Sequence, residues 1–212
     1  ITAARNMREG MKQEMMYALE TEAHSLEQLY NAVNDDAYSV SGDKLMKGSF
    51  NVTDETDFLD SLVEGTDMQV TLFYGDTRMA TTLKDQSGKR LTGTKADESI
   101  ARAVTQDGRT VEDYNITIDG EKYYACYAPL KESGDKVIGM TFAGKPVKQV
   151  EALISQRTRE IIIVETVMVL IALVVIFILT RSIQTGLQAA EKAVHSLSNG
   201  DLTAVVESKA IR

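Results

Sequence analysis

Residues that build catalytic, metal or disulfide sites are scarce in this chain of 212 residues, which has one cysteine, two histidines and no tryptophan. A single cysteine excludes an internal disulfide framework and any zinc or iron–sulfur site made of several cysteines. His24 and His195 lie far apart, and neither has a Ser/Asp or Cys/Asp partner at motif spacing. The chain also lacks a glycine-rich phosphate loop. The sequence therefore predicts no enzyme activity, no metal site and no cofactor.

Positive charge is also in short supply, with 23 Lys and Arg residues against 31 Asp and Glu residues and a net charge of −8. All the excess acid precedes residue 161, because residues 1–160 carry 19 basic and 27 acidic side chains and residues 161–212 carry four of each. Nucleic-acid binding needs a basic surface. This charge balance argues against nucleic acid as a partner.

The longest apolar run covers residues 161–180 (IIIVETVMVLIALVVIFILT), and Glu165 is its only charged residue. At about 1.5 Å of rise per residue, a helix of this length matches the hydrocarbon thickness of a bilayer. A buried core helix is the alternative, but such helices rarely continue this far without a polar stripe. The run therefore predicts a transmembrane helix. Glu165 lies near one end, where its carboxylate can reach the headgroup region.

Residues 1–33 have the spacing of an amphipathic helix. Apolar side chains recur at three- and four-residue steps, with charged side chains between them. The predicted apolar stripe consists of Met7, Met11, Met15, Leu19, Leu26, Leu29 and Val33. Asn34-Asp35-Asp36 then ends the helix. Because the pattern is already running at Ile1, we expect a further segment upstream, with a first membrane span as one candidate.

Short alternating segments follow from residue 66 and predict β-strands. The first two form a hairpin around Gly75-Asp76, and a loop over 84–95 and a short helix over 97–105 come next. The predicted strands are Gln69–Tyr74, Thr77–Leu83, Val111–Ile118, Lys122–Pro129 and Lys136–Gly144, with turns at Asp119-Gly120 and at 132–135. Five short strands with one interposed helix, behind a long leading helix, predict an α+β fold with an antiparallel sheet.

A helical pattern resumes at Pro146 and enters the apolar run without a further Gly or Pro. An uninterrupted helix of this kind can carry a displacement from a domain to a membrane. Beyond the run, apolar residues step by 4, 3, 4 and 3 at Ile183, Leu187, Ala190, Val194 and Leu197. Such a seam of about two heptads is too short to be stable alone. It therefore predicts partner helices and a homodimer, with the leading helix also at the interface.

Residues 181–206 (RSIQTGLQAAEKAVHSLSNGDLTAVV) resemble the first helix and connector of a HAMP domain. The resemblance depends on Arg181, the heptad seam and Asn-Gly-Asp-Leu at 199–202, while Gly186 lies where a proline is usual. HAMP domains lie in the cytoplasm directly after a span, so the resemblance implies that residues 1–160 are outside. Basic residues flank both ends of the apolar run, so their distribution alone does not give this orientation.

The preceding part resembles a single-Cache (PAS-like) sensor domain. The segments that carry this resemblance are LMKGSF (45–50), VTLFYGDTRMATTL (70–83), GKRLTGT (88–94), YYACYAPLK (123–131) and VIGMTFAGKP (137–146). Together with the HAMP-like segment, they make the chain similar to a bacterial methyl-accepting chemotaxis receptor. The same front end also occurs on sensor histidine kinases and diguanylate cyclases, and the residues that would decide lie after Arg212.

The resemblance implies three regions in a bacterial cell-membrane protein. Residues 1–155 are expected to form the extracytoplasmic sensor domain, 156–181 the transmembrane helix with its flank, and 182–212 the start of HAMP. The expected function is a chemoreceptor that binds a small extracellular solute and signals through HAMP to a cytoplasmic domain absent from this chain. The alternative is the sensory half of a membrane histidine kinase or diguanylate cyclase. We expect one span here and two in the full protein.

A PAS-like pocket lies between one sheet face and its covering loops, and binding a carboxylate there needs arginine and hydroxyl donors. The predicted ligand-binding residues are Thr71, Phe73, Arg78, Thr82, Arg90, Tyr123 and Tyr127. Strict alternation places Arg78 on one face with Ala80 and Thr82. Because basic residues are scarce in the strands, Arg78 and Lys89-Arg90 favour a small organic anion. The alternatives are an amide or nucleobase bound by hydroxyl groups, and an exposed edge charge at Arg78.

Overall fold

The structure is a computed structural model, and it describes residues 2–132 and 136–198. These residues fall into two units, one ending at Gln156 and the other beginning at Arg157. The elements, in chain order, are α1 (Thr2–Val33), β1 (Tyr38–Ser41), β2 (Lys44–Lys47), β3 (Phe50–Asn51), α2 (Thr56–Leu62), β4 (Gln69–Tyr74), β5 (Thr77–Thr81), α3 (Glu98–Thr105), β6 (Val111–Ile118), β7 (Glu121–Glu132), β8 (Lys136–Pro146) and α4 (Val147–Ser198).

The main sheet of the first unit has five antiparallel strands in the order β5-β4-β8-β7-β6. The predicted α+β fold with a five-stranded antiparallel sheet is confirmed. The central strands β7 and β8 are longer than predicted, because they pair with each other from Tyr123–Pro146 to Glu132–Lys136. A turn of two residues, Asp119-Gly120, joins β6 to β7. Both residues have positive φ, of 48° and 81°. This is the geometry of a type I′ hairpin turn.

One face of the sheet packs against α1. The fully buried side chains of α1 are Met16, Leu19, Ala23, Leu26 and Tyr30, which again step by three and four residues. The end of the predicted stripe was wrong, because Leu29 and Val33 are exposed. The aromatic ring of Tyr30 takes the buried position instead, in edge contact with Phe50 and Phe58.

The opposite face of the sheet has its own apolar core. Phe73, Tyr127, Met140 and Phe142 pack there against α3, which contributes Ile100, Ala101 and Val104. Both faces are therefore covered, so side chains of either parity in β4, β5 and β7 are buried. Cys126 is buried on the α1 side.

Residues 38–62 form elements that the sequence patterns did not predict. β1, β2 and β3 make a small antiparallel sheet, and α2 follows it. Each element is at most seven residues long, too short to show a period of its own. The edge contacts among Tyr30, Phe50 and Phe58 join this region to α1.

The first turns of α4 are bound to the rest of the first unit through Glu151. Its carboxylate accepts a hydrogen bond from the Tyr124 hydroxyl at 3.1 Å. It also forms ion pairs with Lys12 at 3.3 Å and with Arg8 at 3.5 Å. One side chain of α4 thus contacts both α1 and β7.

The continuous helix predicted from Pro146 onward is confirmed, since α4 runs from Val147 to Ser198. By length and composition, α4 is the one helix of the described residues that can cross a membrane, and its most apolar stretch has a mean hydropathy of 3.2. Ile183, Leu187 and Val194 of the predicted seam are exposed. The side chains of Ala190 and Leu197, the turn at 133–135 and the predicted HAMP connector at 199–206 lie outside the described residues.

Candidate functional site

A β-bulge in the β4–β5 hairpin decides which side chains share a face. Leu72 pairs with Ala80 but Phe73 pairs with Arg78, so Met79 is the extra residue. A bulge of this kind re-aims the side chains beside it. Since paired residues project to the same side, Arg78 lies on the face of Phe73, and Ala80 lies on the opposite face. The strict alternation that grouped Arg78 with Ala80 and Thr82 was therefore wrong.

Arg78 is a buried cation with unused hydrogen-bonding capacity. The residue is 4% exposed, and its guanidinium carbon lies 5.0 Å from the ring centre of Phe73. Nη1 donates to the Thr94 hydroxyl, whereas Nε is buried with no hydrogen-bond partner among the described residues. Burial lowers the pKa of Arg78 and the neighbouring Tyr127 opposes that shift. Arginine nevertheless stays charged in proteins, so this site favours an anionic partner.

Arg78 lines a cavity of about 520 Å³, within the usual size range of small-molecule sites. The cavity is lined by Tyr127, by the loop that leads into α3, and by β6 with its following turn. The Tyr127 ring packs 5.1 Å from Phe142 and 6.3 Å from Phe73, centre to centre. Burial raises the pKa of Tyr127 despite the charge of Arg78, so its phenol is neutral at physiological pH.

Five of the predicted site residues lie on this face of the sheet: Thr71, Phe73, Arg78, Tyr123 and Tyr127. Only Arg78 and Tyr127 line the cavity itself. The hydroxyls of Thr71 and Thr81 hydrogen-bond to each other, with 2.6 Å between the oxygens, and both side chains are buried. Thr71 and Phe73 therefore support the cavity wall instead of facing a ligand.

Thr82 does not belong to this cavity. Its hydroxyl oxygen accepts from the Val70 backbone N–H at 2.9 Å and donates to Gln69 Oε1 at 2.9 Å. These bonds hold the start of β4, and Thr82 lines a different cleft beside α2. The predicted place of Thr82 next to Arg78 is corrected by the bulge.

Arg90 also lies outside the lining of the 520 Å³ cavity. Its Nη2 donates to Asp60 Oδ2 at 2.6 Å, and its Nη1 donates to the Thr81 carbonyl at 2.6 Å. The hydrogen bond from Arg90 lowers the pKa of Asp60 despite partial burial. Arg90 thus joins α2 to β5 and is not among the residues that line the 520 Å³ cavity.

Tyr123 lies against a second, neighbouring cavity of about 700 Å³. Its hydroxyl donates to Glu121 Oε2 at 3.0 Å.

Sequence reasoning missed the acidic lining of the 520 Å³ cavity, to which Asp97, Asp113 and Asp119 contribute. The Asp-Gly turn predicted a hairpin but gave no sign that its aspartate faces a cavity. Among the residues that the structure describes, no group of three His, Cys, Asp or Glu side chains is placed to hold a metal ion.

The first unit combines a PAS-like antiparallel sheet with α1 on one face and a polar cavity on the opposite face. The profile of the family described as "Single cache domain 3" matches residues 50–157, just over half of the chain. The chain belongs to the single-Cache family, whose domains bind small molecules outside the cell.

A solved structure of a C-terminal domain from Streptococcus mutans is similar over 55% of this chain and 97% of its own, at 11% identity and a TM-score of 0.30. That score is too low to support a conclusion about fold or function. No curated protein sequence matches the chain.

Proposed function

We propose that this chain is the sensory part of a transmembrane chemoreceptor that binds a small organic anion in the 520 Å³ cavity. The observation that carries the proposal is Arg78, a buried guanidinium on the cavity wall with an unpartnered Nε. A ligand carboxylate would supply the missing acceptor and the opposite charge. Hydrogen bonds between charged groups shielded from water contribute about 1.5–3 kcal/mol.

The signal would pass through β8 and α4 without any chemical step. β8 lies between β4 and β7 in the sheet and ends at Pro146, directly before the first residue of α4. A ligand that favours one arrangement of these strands over another shifts the population of helix positions. In this proposal the apolar segment of α4 crosses the membrane, and the HAMP-like segment receives the displacement.

Calorimetry on the full chain in detergent micelles, with a panel of short-chain mono- and dicarboxylates, tests the anion site. Arg78→Ala should weaken the binding of any carboxylate hit at least about tenfold, since about 1.4 kcal/mol corresponds to one decade in Kd. The control is Arg102→Ala, which removes an exposed guanidinium from α3 that pairs with Glu98 outside the cavity lining.

Unchanged affinity in Arg78→Ala, with a normal unfolding transition, would show that the anion site is wrong. The receptor class has its own test in the sequence encoded after Arg212. A long coiled coil with Glu and Gln pairs there supports a chemoreceptor, and an ATP-binding kinase domain or a cyclase domain contradicts it.

A further inference from the structure

The cavity that holds Arg78 is lined by charges of both signs. Arg78 and Lys95 are its cations, and Asp97, Asp113 and Asp119 are its anions. Two of the five charges are already compensated: Lys95 pairs with Asp76 at 2.7 Å, and Asp97, at the N-terminus of α3, accepts from both the backbone N–H and the hydroxyl of Ser99, at 2.8 and 2.5 Å. One cation and two carboxylates remain for a ligand.

The two remaining carboxylates are held by β6 and its turn. Asp113 is half-buried and pairs with Ala125 on the cavity side of the sheet, directly before a second bulge. One of its oxygens accepts from the Asn115 backbone N–H at 2.8 Å. Because this donor is neutral, the negative charge of Asp113 remains uncompensated. Asp119 makes no side-chain hydrogen bond or ion pair within the described part of the chain.

The charges are separated across the cavity. Arg78 is on β5 and Asp113 is on β6, the two edge strands of the sheet. Tyr127 lies on β7, which is between these two strands in the sheet. A plain anion bound to Arg78 would face two carboxylates with no cation to offset them. A ligand with a cationic group at its other end would satisfy both sides.

We infer that the cavity recognises a small zwitterion, with its carboxylate on Arg78 and its ammonium group on Asp113 and Asp119. The inference rests on the proposed function of the Arg78 site and names the ligand class more closely. The buried, unpartnered Nε of Arg78 points to a bound anionic group independently of the acidic residues. The ligand class is therefore the amino acids that carry a cationic group remote from the carboxylate, namely ω-amino acids and basic α-amino acids.

The test is calorimetry on the full chain in detergent micelles with the standard amino acids and a series of linear ω-amino acids. Each hit is titrated beside two analogues, the carboxylate without the amino group and the amine without the carboxylate. We expect both analogues to bind at least about tenfold more weakly than the amino acid.

Charge-removing variants give the second arm of the test. The double variant Asp113→Asn with Asp119→Asn should weaken amino-acid binding at least about tenfold and leave carboxylate binding unchanged or tighter. Asparagine keeps the acceptor oxygen for the Asn115 N–H and tolerates the positive φ of residue 119, so the double variant should fold. The control is Asp107→Asn, which removes an exposed carboxylate paired with Arg109 outside the cavity lining.

The outcomes separate the two proposals. If a carboxylate binds as tightly as its amino acid and the double variant has no effect, the zwitterion inference is overturned and the anion site stands. If neither amino acids nor carboxylates bind in a way that depends on Arg78, the proposed function and the inference both fail.

Discussion

Gly139 shows, at the scale of a single residue, how closely the central strands approach. It pairs with Tyr74 on β4 and with Leu130 on β7. A methyl group added at Gly139 would collide with the backbone carbonyl of Phe73. Because a backbone atom cannot move aside as a flexible side chain can, Gly139→Ala should destabilise the protein by about 1–3 kcal/mol. Urea unfolding of the full chain measures this.

Gly10→Ala is the matched control for that substitution. Gly10 lies inside α1 with no atom near the added methyl group. Alanine is the better helix former by up to about 1 kcal/mol, so this variant should be neutral or more stable. Equal stability of the two variants would contradict the packing argument for Gly139.

Arg90 is expected to stabilise the fold, whereas Arg78 is expected to bind the ligand. Arg90→Ala removes the hydrogen bonds to Asp60 and to the Thr81 carbonyl. The expected loss of unfolding free energy is about 1–3 kcal/mol, the usual contribution of hydrogen bonds to charged groups. Ligand affinity should not change, in contrast to Arg78→Ala. Loss of ligand affinity in a correctly folded Arg90→Ala protein would show that Arg90 takes part in ligand binding.

At the scale of elements, Glu151 couples α1, β7 and α4. Burial pushes the pKa of Glu151 upward, but hydrogen bonds from Lys12 and Tyr124 and the charges of Lys12 and Arg8 leave that pKa below its ordinary value. A depressed carboxyl pKa adds stability above the ordinary pKa of the unfolded state, and that stability is lost as the pH falls through the folded-state pKa. The relevant window therefore lies below about pH 5.

Glu151→Gln should flatten the pH dependence of unfolding in this window relative to the unmodified chain. The side chain is about one-third exposed, so the stability difference at neutral pH should be about 1 kcal/mol or less. Thermal unfolding across a pH series measures both quantities. Glu98→Gln, which changes a carboxylate in a largely exposed pair with Arg102, is the control. The prediction is wrong if both variants give the same pH profile.

At the scale of the whole molecule, the heptad seam predicts a homodimer. Val194, a seam residue, is 67% exposed in the single chain, and about two heptads of such residues need a partner helix. A Val194→Cys variant in membranes should form a disulfide-linked dimer on mild oxidation. Glu191→Cys, off the seam, should cross-link much less. The native Cys126 is buried and should not compete.

Comparable cross-linking at positions 191 and 194, or none at either, would contradict a parallel dimer through this seam. Leu197 belongs to the same predicted seam and offers a second position, although its side chain lies outside the described residues. Agreement between the two seam positions would extend the interface along the helix.

Local patterns were enough for the elements that have a clear period or length. The alternation of Gln69–Tyr74 and Val111–Ile118 gave β4 and β6 with the observed bounds. The uninterrupted pattern after Pro146 gave α4. Hydrophobic periodicity is a property of neighbouring residues, so no tertiary information was needed. Sequence patterns did not predict the short elements between residues 38 and 62, because packing against Tyr30 defines them and not a period of their own.

The candidate site was decided by tertiary structure. The sequence by itself determined that Arg78 is a rare cation in a strand, but pairing between β4 and β5 created the bulge that turns it from the face of Ala80 to that of Phe73. Only the fold brought the carboxylate of Asp113 to the same cavity. Strand register and cavity lining depend on contacts between residues distant in sequence. A period-two sequence pattern does not predict where a β-bulge inserts an extra residue.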